Sequence, residues 1–537
     1  MPETNPRDIL PNLPCALPKT GIPEDTDIRK VAGFFSDLLR TDLTPASFTQ
    51  DAVWRDTFAL TGTLRTIYSA PTISDVFNRL RTSREAHAFC VHIDTAKPIR
   101  LSAECGRIDV PFVFQTRSRP GTYCSGVVSV VRAADEEYRV WMLCTMLEGL
   151  HGRADVDSLC PGVQNIHEIR CTENMDFECV VVGAEHSGLG TAGRLKALGV
   201  SCVVIERNAR VGDSWRRRYN SLRLHTIRNW SHLPFERNFS PFNVWTVTEL
   251  ESEIWDENKR KWTLRLQRYG DDQRPSRRLS VTCSRVVLAT GGPALTPRKP
   301  RFPGEETFKG EILHSAKYKN GKTWKGKRSM VIGSANTDLV AYGASSVIMV
   351  QRSTTYVLPR EYLQRAWEGM FSEVTPTKVS DREMNLVPTA VARLMTMAAL
   401  NQRLGGHSMD TGPSAMIARG EIKVKSDSAV VSYTEEDLLL DDGSVLPADV
   451  VIFATGFTGI LRDSVRTFFG EDVYDRVEDY WRVSPGLWYI GGRGQARFYS
   501  RFVALQIRAS IDGTPLPAYQ RIHVKENSAS SVIFYLS

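Results

Sequence analysis

At 537 residues the chain is too long for one hydrophobic core, and two to four domains are expected. Apolar content of 42%, charged content of 24% and a net charge of +7 are those of an ordinary soluble protein, and no Lys/Arg run is interleaved with aromatics, which speaks against nucleic acid as a partner. Ten cysteines without a C-x-x-C pair speak against zinc or a disulfide framework, and no apolar run approaches the ~18 residues of a membrane-spanning helix, so neither a metal nor a membrane partner is expected.

Residues 1–25 are proline-rich and read as a disordered arm. Met1 to Pro6 lack the basic and apolar regions of a signal peptide, and with cysteines inside apolar strands this suggests a cytoplasmic protein. Residues 26–170 read as an α+β domain. Helical patterns near Ile28–Leu39 and Ile73–Arg81 precede alternating strands at Ile108–Gln115, Gly126–Val131 and Tyr138–Thr145. This part is faintly similar to the cone-shaped fold of the nuclear-transport-factor and scytalone-dehydratase type. Such cones hold a small molecule or pair subunits, which admits a homodimer. His87, His92 and Asp94 are acid/base candidates there, although no spacing converges them and edge-strand polar residues are the plainer reading. The polar connector from Asp155 to Asp176 predicts that this domain is separable from the rest of the chain.

The stretch from Phe177 to Thr226 organises the remainder. An apolar strand at Cys179–Val182 runs into Gly183-Ala184-Glu185-His186-Ser187-Gly188, a helix at Leu189–Leu198 is stopped by Gly199, and a second strand at Cys202–Ile205 ends in Glu206. Strand, glycine turn, helix, strand and acid make a dinucleotide site. The turn aims a helix N-terminus at a pyrophosphate, and the acid takes a ribose hydroxyl. Gly183, Ser187, Gly188 and Glu206 are therefore candidate cofactor contacts. Glu185, another candidate, departs from the pattern because it stands where a second glycine is expected. Beyond the acid, Arg207, Trp215, Arg216, Leu224 and His225 form an aromatic and guanidinium cluster suited to a flat, partly anionic ring system. The strand at Val286–Leu288 then enters a small-residue turn that brings Thr290 and Gly291 into the same candidate set.

Residues Phe308 to Tyr318 have the form F-x-G-x-x-x-H-x-x-x-Y. With the glycine turn, the Trp215-Arg216 segment and the Ala289-Thr290-Gly291 turn, this string resembles the flavin-containing monooxygenases, most of all the YUCCA-like group and related fungal monooxygenases of secondary metabolism. The resemblance covers about Phe177 to Ala509. A second unit comes next, with a strand at Ser329–Ile332, a turn carrying Gly333, Ser334 and Asn336, a short helix near Thr337–Tyr342, and a strand at Val347–Val350. Arg352 and Ser353 then stand where the first unit has its acid. An arginine there favours a 2′-phosphate, hence NADPH over NADH. Asp449 to Phe457 carry a second A-T-G turn with Thr455 and Gly456.

The fold class expected is α/β, with two Rossmann-like dinucleotide-binding domains for FAD and NADPH preceded by a smaller α+β domain. The boundaries are 176–320 for the first part of the FAD domain, 321–430 for the NADPH domain with its active-site loops, 431–512 for the second part of the FAD domain, and 513–537 for a tail. The resemblance implies that NADPH reduces FAD and that O2 adds to the reduced flavin, whose hydroperoxide oxygenates a small organic substrate. The flavin then carries the chemistry, and no catalytic side chain is assigned. His314 is expected to link the nucleotide domains. Two rival readings stand beside this one. The altered turn and segments short against the family, near Phe235, in the second unit's helix and around Leu400 to Gly406, suit a nucleotide-binding relic. The N-terminal cone suits a dehydratase or cyclase.

Overall fold

The computed structural model describes residues 15–159, 175–222, 227, 229–235, 243–270, 272, 274–291, 296–333, 339–352, 356–372, 374–400, 407–410, 412–458, 465, 466, 469, 482–484 and 486–519. The N-terminal part contains helices α1 (Ile28–Leu38) and α2 (Ala70–Ser83). Its strands are β1 (Phe48–Thr57), β2 (Leu64–Tyr68), β3 (Ala86–Val91), β4 (Lys97–Ser102), β5 (Cys105–Thr116), β6 (Thr122–Arg132) and β7 (Tyr138–Leu150). They form one sheet in the order β2-β1-β7-β6-β5-β3, with β4 also on β5. The β1–β7 pair is parallel. Alternation makes β5 to β7 legible in the sequence: Ile108, Val110, Phe112 and Phe114 of β5 are all buried. Strands β1 to β4 are not legible there, because shorter runs with interleaved polar residues do not alternate. The sharp turn after β1 is held by Asp56, buried, whose carboxylate accepts the Leu60 and Thr61 amides and the Thr61 and Thr145 hydroxyls.

The second half opens with β8 (Met175–Val182), α3 (His186–Ala197) and β9 (Cys202–Ile205), then α4 (Asp213–Arg216), β10 (Val244–Trp245), β11 (Thr248–Asp256), β12 (Lys261–Tyr269) and β13 (Pro275–Leu288). It continues through β14 (Thr296–Pro297), β15 (Glu311–His314), β16 (Arg328–Ile332), β17 (Ser346–Gln351) and β18 (Tyr356–Pro359). Three helices, α5 (Arg360–Glu368), α6 (Thr377–Leu386) and α7 (Thr389–Leu400), precede β19 (His407–Asp410), α8 (Pro413–Ala418) and β20 (Lys423–Ser426). The chain closes with β21 (Val430–Tyr433), β22 (Asp437–Leu440), β23 (Val445–Pro447), β24 (Val450–Phe453), β25 (Phe457–Thr458), β26 (Arg482–Ser484), β27 (Leu487–Tyr489) and α9 (Arg493–Ile511).

Two sheets built on parallel strands result, one mixed and one all parallel, the α/β architecture expected. In the first, β10, β9, β8, β13 and β27 are successive parallel neighbours, and β11 to β13 form an antiparallel meander. The second runs β15-β24-β16-β17-β20, all parallel. Strands β15 and β24, assigned from sequence to segments of the FAD domain, pair instead with the second sheet, because their short apolar runs carry no signal of which neighbour they join. The helix expected near Thr337–Tyr342 lies partly outside the described residues. Its described part forms turns, with the Tyr342 and Gly343 amides bonded three residues back to Leu339 and Val340, and Gly343 at positive φ ends it.

The N-terminal sheet shares a core with α9. Phe58, Trp54 and Leu147 belong to the same buried cluster as Leu189, Phe498, Phe502 and Leu505. Its other contact is with α6 and α7, where Val53, Trp141 and Cys144 meet Ala390 and Val391. The connector expected to be merely polar is anchored at its start: Asp157 is buried between Arg194 of α3 and Arg501 of α9, at 2.9 and 3.1 Å. Residues 160–174 of the connector lie outside the described residues.

Candidate cofactor sites

The first site forms where β8, β9 and β13 end side by side. Gly183 leaves β8 at φ 107°, and its amide donates to the Ile205 carbonyl at 2.7 Å. The Ala289 amide, at the end of β13, donates to the Val182 carbonyl at 2.8 Å. A Cβ at Gly183 would stand 2.4 Å from the Ala289 carbonyl oxygen, and one at Gly188 would stand 1.8 Å from that of Gly183. Both glycines are therefore required by close approach, which seats α3 on the turn with its N-terminus at the strand ends. Small residues continue along α3, where Gly190 faces Ser500 of α9.

Glu206 is buried at the end of β9. It accepts the Ala184 amide at 2.8 Å on one oxygen and the Asn208 amide and side chain on the other, at 2.8 and 2.6 Å. Thr290 has a buried hydroxyl oxygen with no partner, and Gly291 stands at φ 97°. Ser187 is buried, and its carbonyl accepts the Thr191 hydroxyl. Trp215 packs edge-on against the His186 ring, centroids 6.2 Å apart, and carries the Arg218 guanidinium at 5.0 Å. Arg207 is exposed. Arg216 is committed to Asp213 at 3.0 Å and to the Val211 carbonyl at 2.7 Å. Leu224 and His225 lie outside the described residues.

Glu185 is the N-cap residue of α3, yet its side chain makes no cap bond. The carboxyl turns to Ser214, whose hydroxyl and amide lie against it, and one of its oxygens is buried without a partner. Burial, and then the neighbouring Glu206 charge, push this carboxyl above its ordinary range against the opposing pull of Ser214 and Arg216. Sequence reasoning missed Asp213, Asn208 and Ser214. The usable signal was the acid inside the Arg-rich loop, because a buried carboxylate among arginines is expected to organise them.

The second site repeats the construction. Gly333 leaves β16 at φ 114°, its amide donates to Val350 at 2.9 Å, and the Ala454 amide at the end of β24 donates to Ile332 at 2.8 Å. A Cβ at Gly333 would stand 2.5 Å from the Ala454 carbonyl oxygen. Arg352 is exposed just past β17. Ser334, Asn336 and Ser353 lie outside the described residues.

The two sites are tied together by the F-x-G-x-x-x-H-x-x-x-Y segment and the second A-T-G turn. His314, buried at the end of β15, accepts the Ala316 amide on Nδ1 at 3.1 Å, which leaves Nε2–H to donate to the Gly456 carbonyl at 2.9 Å. That carbonyl also accepts the Arg298 amide at 2.9 Å, and the Thr455 hydroxyl donates to the Arg298 carbonyl. Arg298 lies just past β14, which pairs with β25. Tyr318 meets Tyr219 of the first site's loop, and the Asn220 amide donates to Lys319 at 2.8 Å. Gly310 is required because a Cβ there would strike the Phe308 ring at 2.5 Å.

The residues present fit a dinucleotide at each turn: glycines that let the turn close on the neighbouring strand end, an orphaned Thr290 hydroxyl at the first, and an exposed arginine at the second. Among the described residues Glu185 is the discordant group. Among the described residues no group of three or more His, Cys, Asp or Glu is placed to hold a metal ion, and no helix is long and apolar enough to cross a membrane.

Residues 277–474 match the family described as flavin-binding monooxygenase-like. The chain is 28% identical over 363 residues to indole-3-pyruvate monooxygenase YUCCA6 of Arabidopsis thaliana, covering 58% of this chain and 84% of that protein. It is 29% identical over 360 residues to indole-3-pyruvate monooxygenase YUCCA1 of Oryza sativa subsp. japonica, covering 58% and 86%. Among solved structures it is similar to the polycyclic ketone monooxygenase of Thermothelomyces thermophila, at 16% identity and TM-score 0.47 over 63% of this chain and 76% of that one. A flavin-containing monooxygenase from Stenotrophomonas maltophilia aligns at 19% identity and TM-score 0.45 over 63% and 99%.

Proposed function

We propose that this chain, whose residues 277–474 match the flavin-binding monooxygenase-like family, is a monooxygenase that uses FAD, NADPH and O2 to oxygenate a small organic substrate. The carrying observation is the duplicated turn. The Gly183–Ala289 and Gly333–Ala454 approaches are built alike at the ends of parallel strands in two sheets, one followed by an acid and the other by an arginine. Gly183, Ser187, Gly188, Glu206 and Thr290 would hold FAD. Trp215 and the loop arginines would lie beside it. Gly333 and Arg352 would hold NADPH, the Arg352 guanidinium serving the 2′-phosphate.

FAD, when bound, would supply the redox chemistry of the oxygenation. The protein's own residues position the two nucleotides. His314 fixes the Gly456 turn as a hydrogen-bond donor, and Tyr318 and Lys319 dock the first site's loop on the second sheet. The N-terminal sheet is read as a cone-type domain that holds a small molecule. In support, a cleft of about 460 Å³ lies between it and α6, lined by Phe112, Val113, Val127, Met146, Glu148 and Arg382. The free thiols of the described cysteines suit a cytoplasmic setting.

The test is the purified protein itself. Flavin absorbance, NADPH oxidation coupled to O2 uptake, and incorporation of oxygen from labelled O2 into a product are expected. A protein that takes up neither nucleotide refutes the assignment.

A further inference from the structure

We propose that the Glu185 carboxylate is a built-in occupant of the FAD pyrophosphate seat, so that flavin must displace or neutralise it to bind. This rests on the FAD assignment above. Glu185 caps α3 at the point where a strand-turn-helix unit receives a diphosphate, yet its carboxyl makes no cap bond and lies against the amide and hydroxyl of Ser214. One carboxylate oxygen is buried without a partner, as a group is when it fills a seat built for a larger ligand. A carboxylate at the N-cap of α3 sets a negative charge where the strand-turn-helix unit receives an anionic phosphate.

The charges around it relieve the conflict only in part, through Arg216. From the end of β9, Glu206 adds a second carboxylate. From the loop and α4, Arg216 is held by Asp213 and the Val211 carbonyl, and Arg217 by Asn208 at 2.9 Å and by Asp213. From α3 itself, His186 faces Trp215. Burial and Glu206 raise the titration of the Glu185 carboxyl. The FAD diphosphate stays anionic, protonated Glu185 does not repel it, and ionised Glu185 does. Affinity for FAD is therefore highest in acid and falls as pH rises through a Glu185 titration lying above the ordinary carboxylate range.

The experiment strips the full chain of flavin and measures the FAD Kd by flavin fluorescence from about pH 5 to about pH 8 for wild type, Glu185→Gly and Glu185→Gln. Wild-type Kd is expected to rise by about fivefold or more over that range, since one like-charge contact is worth roughly that factor even in water. Both variants are expected to bind more tightly than wild type at the upper pH and to show little pH dependence. Glu185→Gln keeps the side chain's shape, so it carries the test where the glycine loosens the turn. A wild-type Kd as flat and as tight as that of Glu185→Gln overturns the inference and leaves the FAD assignment standing. Failure of all three forms to bind FAD at any pH overturns the FAD assignment, and the inference with it.

Discussion

Phe58 and Phe502 stack face to face, their ring centroids 5.1 Å apart and their planes 10° from parallel. Phe58 is the residue after β1 of the N-terminal sheet, and Phe502 lies in the middle of α9, the last helix of the nucleotide-binding half. Both rings are fully buried, and beside them Arg55 donates to the Tyr499 hydroxyl at 2.9 Å. The contact makes the N-terminal sheet and the cofactor half one packed body, although no sequence pattern announced it.

Truncating that contact should therefore weaken both halves together. Phe502→Ala is expected to cost about 3–5 kcal/mol, the usual loss for a buried aromatic. Calorimetry should show one transition moved to lower temperature. Two resolved transitions with only one displaced would show that the halves unfold independently. Proteolytic cleavage within 160–174 should likewise leave two fragments that co-elute.

The ion-pair cluster behind this contact predicts an acid limb of instability. Burial alone would push the carboxyls of Asp157 and Glu148 up. For Asp157, Arg501 and Arg194 outweigh burial, and for Glu148, Arg501 and Arg382 do, so both are held below their ordinary values. A carboxylate depressed in the fold contributes stability above its unfolded pKa of about 4 and loses it as pH falls toward the folded value. Asp157→Asn should cost about 3 kcal/mol or more near neutrality, because Arg194 is left buried beside an uncharged partner and Arg501 keeps only its pair with Glu148. It should also flatten the fall of the urea midpoint below about pH 4. An unchanged acid limb would exclude Asp157 as its source.

Arg352 should decide the nicotinamide nucleotide. The residue is exposed just past the end of β17. Arg352→Ala should raise the KM for NADPH about tenfold, as a charge-assisted bond of ~1.5–3 kcal/mol implies, with that for NADH almost unchanged. Equal losses with both nucleotides would defeat the assignment.

The twin turns should fail separately. Gly183→Ala places a Cβ 2.4 Å from the Ala289 carbonyl at φ 107°, and Gly333→Ala places one 2.5 Å from that of Ala454 at φ 114°. Each carries about 1–3 kcal/mol of backbone strain besides the clash. Gly183→Ala should lower the flavin-to-protein ratio, whereas Gly333→Ala should keep flavin and weaken NADPH. Loss of flavin in both would mean that the sites are not independent.

The sequence by itself determined the parts whose signal is local. The strands at Cys202–Ile205 and Val286–Leu288, the positive-φ glycines at 183 and 333, the acid at 206 and the arginine at 352 are each set by spacing along one short stretch. Chain order places them correctly because a βαβ unit closes within a few tens of residues. Only the tertiary structure decided the rest. That β15 and β24 join the second sheet, that His314 holds the Gly456 carbonyl, and that Glu185 turns to Ser214 depend on which strands and loops become neighbours. So does the Phe58–Phe502 stack, a pairing between the two ends of the described chain. Such contacts are fixed by packing an apolar face against whatever the folded chain presents, and a residue's own neighbours in sequence carry no record of that partner.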